Sequence, residues 1–247
     1  MGQKILMING SFRKKNTYKI LCEAGAILEK RGFQYEILNL SDYKINHCRG
    51  CDLTCNGNKG CNQSDDQMSE VKKKILESDA LIFATPVYLS GPSSAFKAFA
   101  DRTNIWFHNP ALFGKPVMSV VTTEVSGIKP TAKFLNSLAT GMGLRKGGLI
   151  KRTRKTFSKP LEEKEMAKFL SLLKTDKSKY KPAVGELIIF QVQKALALKF
   201  GEGNKQFWVE NGWLDKTYYY KCKIGVKALL AKFIGGRIRA SLGVKLS

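Results

Sequence analysis

Residues 10–17 and 48–61 hold the side chains whose types and spacing could do chemistry. In the first stretch Gly10, Ser11, Arg13, Asn16 and Thr17 lie between a short apolar run at 5–8 and helix-like spacing through Ile20, Leu21 and Ala24. A strand that empties into such a loop at the start of a helix gathers free backbone N–H groups and the positive end of the helix dipole. It is therefore suited to an anion. The second glycine and Lys-Ser/Thr pair of a nucleotide-triphosphate loop are missing, as are the further glycines of a dinucleotide fingerprint. One guanidinium among hydroxyls and amides suits a terminal monophosphate instead. The same residues also fit an ordinary strand–helix loop in which Asn16 or Thr17 caps the helix.

The second stretch reads CRGCDLTCNGNKGC, so Cys48, Cys51, Cys55 and Cys61 are spaced C-x2-C-x3-C-x5-C. Gly50, Gly57 and Gly60 would let the four thiols turn toward a common centre. Thiolates ligate iron–sulfur clusters and tetrahedral zinc, and the spacing admits either, or a loop of free thiols. His47 adjoins Cys48 and reads as a solvent-facing loop histidine, while Cys22 and Cys222 stand alone and read as structural. Neither His47 nor His108 falls in a recognisable motif with a nucleophile and a carboxylate, so no catalytic triad is expected.

The elements that must position these groups alternate. Strand patterns fall at 5–9, 34–38, 80–85, 117–122 and 145–150, with helix patterns at 17–31, 66–77, 93–107 and 130–141 between them. Runs such as ALIFAT and VMSVV suit strands covered on both faces, as in a parallel sheet. Five βα units imply an α/β, doubly wound sheet that binds ligands beyond the carboxyl ends of its strands. Pro92 stands where the first turn of a helix would take a proline. Beyond it, 161–173 reads as a helix, 174–182 as a polar connector and 186–200 as an apolar helix. A glycine-containing break follows at 201–204, then an aromatic stretch and a last helix at 223–239. The expected division is 1–175 for the sheet domain and 176–247 for a helical extension.

Bulk properties set the limits. The chain has 247 residues, of which 43% are hydrophobic, enough to bury a core. No run reaches the roughly 18–20 apolar residues of a membrane span. The opening residues lack a signal-peptide pattern, and crowding of four cysteines is unlike a disulfide framework, so the expected compartment is the reducing cytoplasm. The net charge of +22 is uneven: residues 145–247 hold 24 basic and 8 acidic residues. Such a field could attract an acidic protein, anionic lipid or nucleic acid, or could serve as a solvated face. No nucleic-acid motif is present. The basic residues Lys223, Lys227, Lys232, Arg237 and Arg239 spread around the last helix, which argues against a membrane surface. The apolar helix at 186–200 is expected to pack on the core or across a dimer interface.

Three segments together resemble the NAD(P)H-dependent FMN reductase family of the flavodoxin-like superfamily, in its iron–sulfur flavoprotein branch. GSFRKKNTYKIL is similar to the phosphate loop. INHCRGCDLTCNGNKGCNQSDDQM is similar to the cysteine loop, including Asp65, Asp66 and Met68. DALIFATPVYLSGPSSAFKAFADR is similar to the segment that ends strand 3 and wraps the flavin ring. The resemblance spans about residues 3–150 and implies a flavodoxin-like sheet. It implies that Ser11, Arg13, Asn16 and Thr17 hold the FMN phosphate, and that Pro86, Val87 and Tyr88 line the isoalloxazine with Gly91 close by. A third loop from Thr122, Thr123 and Glu124 to Gly127 would complete the cradle, though it is poorer in glycine than the family's. Cys48, Cys51, Cys55 and Cys61 would hold a 4Fe-4S cluster, with one residue more than usual between the second and third cysteines. The implied function is an FMN-dependent NAD(P)H oxidoreductase serving a small-molecule or protein acceptor, such as an acidic ferredoxin-like carrier, and assembling as a homodimer or higher oligomer. Rival expectations are a non-enzymatic electron-transfer or redox-sensing protein, and a zinc-stabilised binding protein.

Overall fold

The computed structural model describes residues 2–51, 55, 61–199, 202–222 and 224–243. Eight members of the CRGCDLTCNGNKGC stretch, 52–54 and 56–60, lie outside the described residues, as do Phe200, Lys223 and Lys245. Among the described residues, five parallel strands run in the order β2-β1-β3-β5-β6. They are β1 (Lys4–Asn9), β2 (Gln34–Asn39), β3 (Ala80–Tyr88), β5 (Pro116–Thr123) and β6 (Arg145–Thr153). The two-residue β4 (Gly91–Pro92) folds back antiparallel on the end of β3. This is the flavodoxin-like order, with its switch point between β1 and β3.

Both faces of the sheet are buried, which explains the near-continuous apolar runs. Leu6, Ile8, Leu81 and Phe83 face one core with α2 (Met68–Glu77), α3 (Ser94–Arg102) and α5 (Ile128–Gly141). Ile5, Met7, Ile82 and Val120 face the other with α1 (Asn16–Lys30) and α6 (Glu163–Lys174). Between β5 and β6 the register slips by one residue at Gly147–Gly148. Gly147 is there because a Cβ would lie 2.9 Å from the Phe169 Cα of α6.

Three local readings are corrected. The helix expected over 93–107 is broken: α3 ends at Arg102, where the Thr103 hydroxyl donates to the Ala100 carbonyl (2.6 Å), and α4 is the short Ile105–His108. Pro92 is not in a first helical turn; it pairs with Val87 in β4, and Ser93 is the N-cap, accepting from the Phe96 N–H. Residues 202–204 are helical, not a break: α8 (Glu202–Glu210) is pinned by buried Asn204 and Trp208, one turn apart.

The C-terminal helices build a third, aromatic core from Phe190, Trp208, Trp213, Tyr218 and Tyr219, around α7 (Val184–Lys199). The expected packing of this apolar helix on the core is what the structure shows. Gln193 of α7 donates to the Phe107 and Gly141 carbonyls (both 2.6 Å), and Trp208 Nε1 donates to the His108 carbonyl (2.9 Å), docking this core on α4 and α5. None of the described helices is long and apolar enough to cross a membrane.

Candidate functional site

At the carboxyl end of β1, buried polar groups fix the backbone before any ligand is considered. Asn9 donates through Nδ2 to Asn39 Oδ1 (3.0 Å) and accepts from the Ser11 N–H (3.1 Å). The Gly10 N–H donates to the Ala84 carbonyl of β3 (2.8 Å), and the Ser93 hydroxyl donates to the Gly10 carbonyl. Thr85 Oγ1 accepts from the Ser93 N–H (3.0 Å), so one buried clip joins β1, β3 and the start of α3. Gly10 itself is required by packing: a Cβ there would meet Phe96 Cβ at 2.7 Å. It lets α3 close on the loop, a role distinct from touching an anion.

The loop that follows turns tightly. Ser11 Oγ donates to the Arg13 carbonyl (2.8 Å) and accepts from its N–H (3.2 Å). Neither Asn16 nor Thr17 caps α1. Lys15 occupies the N-cap position without a side-chain hydrogen bond, and the first turn holds no acidic residue. Lys19 donates its N–H to the Lys15 carbonyl (2.8 Å), so the amides before it face the loop as potential anion donors. Thr17 instead shares a buried hydrogen bond with Thr122 of β5 (Oγ1–Oγ1 2.7 Å), latching the loop to the third strand of the site.

The second wall is a hairpin. Tyr88 pairs with Gly91, and the two residues between them, Leu89 (φ 47°) and Ser90 (φ 62°), both take the left-handed conformation of a primed turn. Non-glycine residues rarely adopt it, and Leu89 is wholly exposed. The third loop fits against this hairpin: Thr123 Oγ1 donates to the Ser126 carbonyl (2.6 Å), and Gly127 has φ 86°. A Cβ on Gly127 would lie 2.5 Å from Val87 Cγ1 and 3.0 Å from Ser90 Cα, so only glycine permits this contact.

The three loops enclose a cleft of about 210 Å3. Ser11, Arg13, Asn16 and Thr17 line one side, Pro86, Val87 and Tyr88 the second, and Thr122, Thr123 and Glu124 the third. Nine of the ten residues expected at a cofactor are thus brought together. Gly91 is not among the lining residues; it closes the hairpin behind Tyr88. Lys15 and Phe157 also line the cleft and were not anticipated. Lys15 sat unremarked inside the phosphate loop, whereas Phe157, following β6, carried no local signal. The residues fit FMN: an uncapped helix start with two cations offers donors to a phosphate, and an apolar hairpin wall stands opposite.

The described residues that flank the cysteine stretch, Asn46 on one side and Gln63 and Asp66 on the other, converge on Arg102 at the end of α3. Arg102 forms a buried ion pair with Asp66 and donates to the Asn46 (3.0 Å) and Gln63 (3.3 Å) carbonyls. Asp66 also accepts from the N–H groups of Asn46 (2.8 Å) and Met68 (3.1 Å). Burial works to raise the Asp66 carboxyl, but the Arg102 guanidinium and these amides outweigh it and hold it below the usual range. Both residues stood in the quoted segments; their long-range partnership did not. Among the thiols, burial, and then the fields of Cys61, Cys51 and Cys48, push Cys55 upward. None of the six cysteines is in a disulfide. Among the described residues, no three potential ligands are drawn together tightly enough to hold a metal ion. As a donor set the four thiols suit a thiolate-held cluster, with Arg102 and half-buried Lys72 supplying positive charge beside them.

A family model for NADPH-dependent FMN reductase matches residues 3–147. An iron–sulfur flavoprotein of Archaeoglobus fulgidus is 40% identical over 144 residues, covering 57% of this chain and 64% of that protein. Two more iron–sulfur flavoproteins from that organism are matched over 49% of their length. One from Clostridioides difficile is 27% identical over 223 residues, covering 84% of this chain and 98% of that protein. The solved structure of RosB with bound 8-demethyl-8-formylriboflavin-5'-phosphate has a TM-score of 0.55 at 16% identity, covering 71% of this chain and 78% of that one, a likeness of fold. With the family model matching more than half its length over the strands and loops that build the cleft, this chain belongs to the NADPH-dependent FMN reductase family.

Proposed function

We propose that this chain is an FMN-dependent NAD(P)H oxidoreductase serving a small-molecule or protein acceptor, with Cys48, Cys51, Cys55 and Cys61 as the ligands of a 4Fe-4S cluster. The observation that carries the reading is the convergence of three loops on one cleft at the sheet's switch point, where such folds bind their ligands. Bound FMN supplies the hydride and single-electron chemistry; the protein's task is position and electrostatics. Arg13, with Ser11, Asn16, Thr17 and the first-turn amides of α1, would bind the phosphate. Pro86, Val87 and Tyr88 would set the plane of the ring, and Thr122 and Thr123 would close the side of the cleft against water. A 4Fe-4S cluster on the neighbouring thiols would supply one-electron exchange, and Arg102 would hold the loop stems for it. In this reading residues 1–175 form the FMN domain and 176–247 a helical extension, in a reducing cytoplasm that keeps the thiols out of disulfides.

Anaerobically purified and reconstituted protein tests this directly. The expected visible spectrum carries flavin bands over broad iron–sulfur absorbance, with iron and sulfide in equal amounts, and NADH or NADPH bleaches the flavin in stopped flow. Protein with neither flavin nor iron would overturn both assignments. Flavin without bleaching by either nucleotide would overturn the reductase assignment, and zinc in place of iron would overturn the cluster.

A further inference from the structure

The last helix, α9 (Lys227–Ser241), turns Leu229, Leu230 and Phe233 away from the protein. Its buried contacts are small: Ala231 is fully buried, and Gly235 sits so close to α7 that a Cβ would lie 2.7 Å from Gln191 Cβ. On the opposite side Val226 is 82% exposed, Leu229 71%, Leu230 49% and Phe233 64%. Positions 226, 229, 230 and 233 follow the i, i+3, i+4, i+7 spacing of one helical stripe. Most other exposed large apolar residues of the chain, such as Tyr35, Leu76 and Val209, are scattered or belong to the cleft's rim. A contiguous apolar ridge of this kind marks a contact surface.

Charge identifies what it contacts. Exposed Lys227 and Lys232 stand on either flank of the stripe, and exposed Arg237 continues it one turn further. From Lys216 to Ser247 the sequence contains eight Lys or Arg and no Asp or Glu. Two such faces brought together would press cations on cations without a counter-charge, which disfavours a second copy as the occupant. A single convex helix with Leu and Phe outermost and cations at its flanks is the geometry that lies in the headgroup layer of a bilayer. Anionic lipid supplies both the apolar bed and the negative field. The basic residues do spread around the helix, but the inner ones are not needed; the flanking pair brackets the stripe.

We propose that the outer face of α9 docks this protein on an anionic lipid surface, with Leu229, Leu230 and Phe233 in the headgroup layer and Lys227, Lys232 and Arg237 on lipid phosphates. The test is co-sedimentation of the full chain with vesicles of equal parts phosphatidylglycerol and phosphatidylcholine, and with phosphatidylcholine alone. Binding is expected to the mixed vesicles only, weakening as salt is raised. The double variant Leu229→Glu, Phe233→Glu should lower partition by about a hundredfold, since two apolar anchors are lost and two repelled charges added. Because both side chains face solvent, its far-UV spectrum and thermal midpoint should match the parent's. Lys227→Gln, Lys232→Gln should lower binding by about tenfold. No binding to the mixed vesicles at low salt would overturn the proposal. So would binding untouched by the Glu pair, or concentration-dependent self-association that the Glu pair abolishes.

Discussion

The cofactor cleft and the described stems of the cysteine stretch are held in different ways. The cleft is cross-braced: Asn9, Gly10, Thr17, Ser93 and Thr122 tie four strands and two helices with buried hydrogen bonds, and Gly127 fits the third loop to the hairpin. The described stems of the cysteine stretch meet at one buried ion pair, Arg102 with Asp66, and further hydrogen bonds, Lys44 with Gln67 and Asn46 with Asp65, join them nearer the surface. In a braced cleft the loss of one tie is shared among the others. At the stems, breaking the buried ion pair leaves a charge uncompensated. The difference suits the two proposed tasks, since a flavin needs a preformed wall whereas thiolates could close around a cluster as it is built.

Breaking that ion pair should have the largest effect. Arg102→Met leaves the Asp66 carboxylate buried without its cation, a loss of about 3–5 kcal/mol. Urea denaturation should register it, and reconstituted iron and sulfide should fall to background while FMN binding to the folded fraction changes less than about threefold. The pH dependence follows from the direction of the Asp66 shift. A carboxyl held below its ordinary value stabilises the fold at neutral pH, and that stability drains away as pH falls below the aspartate range. Asp66→Asn should therefore flatten the acid limb of the stability profile. An unchanged limb would show that the ion pair is not the difference between the two regions.

Next in size is the fit of third loop to hairpin. Gly127→Ala adds a Cβ 2.5 Å from Val87 Cγ1 at a positive φ, so the two walls must part at a cost of about 1–3 kcal/mol. FMN affinity should fall by about tenfold, with iron and sulfide content unchanged. Retained affinity would mean that the third wall is dispensable. Arg13→Ala sharpens the assignment within the cleft. Removing a charge-assisted donor should weaken FMN by about ten- to a hundredfold and leave riboflavin, which lacks the phosphate, unchanged. Equal losses for both ligands would place Arg13 somewhere other than on the phosphate.

Much of the cleft was legible because its signals are local. The apolar runs mark the strands, and Ser11 to Thr17 and Pro86 to Tyr88 each lie within a few residues of a strand's carboxyl end. What stayed hidden depends on partners distant in the chain. Gly10 reads as a phosphate-loop glycine, yet it answers to Phe96, 86 positions away. Arg102 lies inside a helix pattern in sequence but meets Asp66 and Asn46 only in the fold. The outward face of α9 was obscured for a related reason. Its inner side, with Ala231, Gly235 and Ile238, is also apolar, so periodicity gives little contrast and only packing shows which side is covered.

The smallest effect concerns the hairpin tip and should run toward greater stability. Leu89 and Ser90 hold a primed-turn conformation that asparagine and glycine adopt with far less strain. Leu89 is wholly exposed, so replacing it sacrifices no packing within this chain. Leu89→Asn, Ser90→Gly should therefore raise stability by about 1 kcal/mol, seen as a higher denaturation midpoint at constant slope. Strain kept at the lip of a cleft invites the question of what it serves. If the turn only shapes the backbone of Tyr88, FMN affinity will hold in the relaxed variant. If it falls instead, the Leu89 side chain covers the ring, and the cleft's second wall reaches one residue beyond Tyr88.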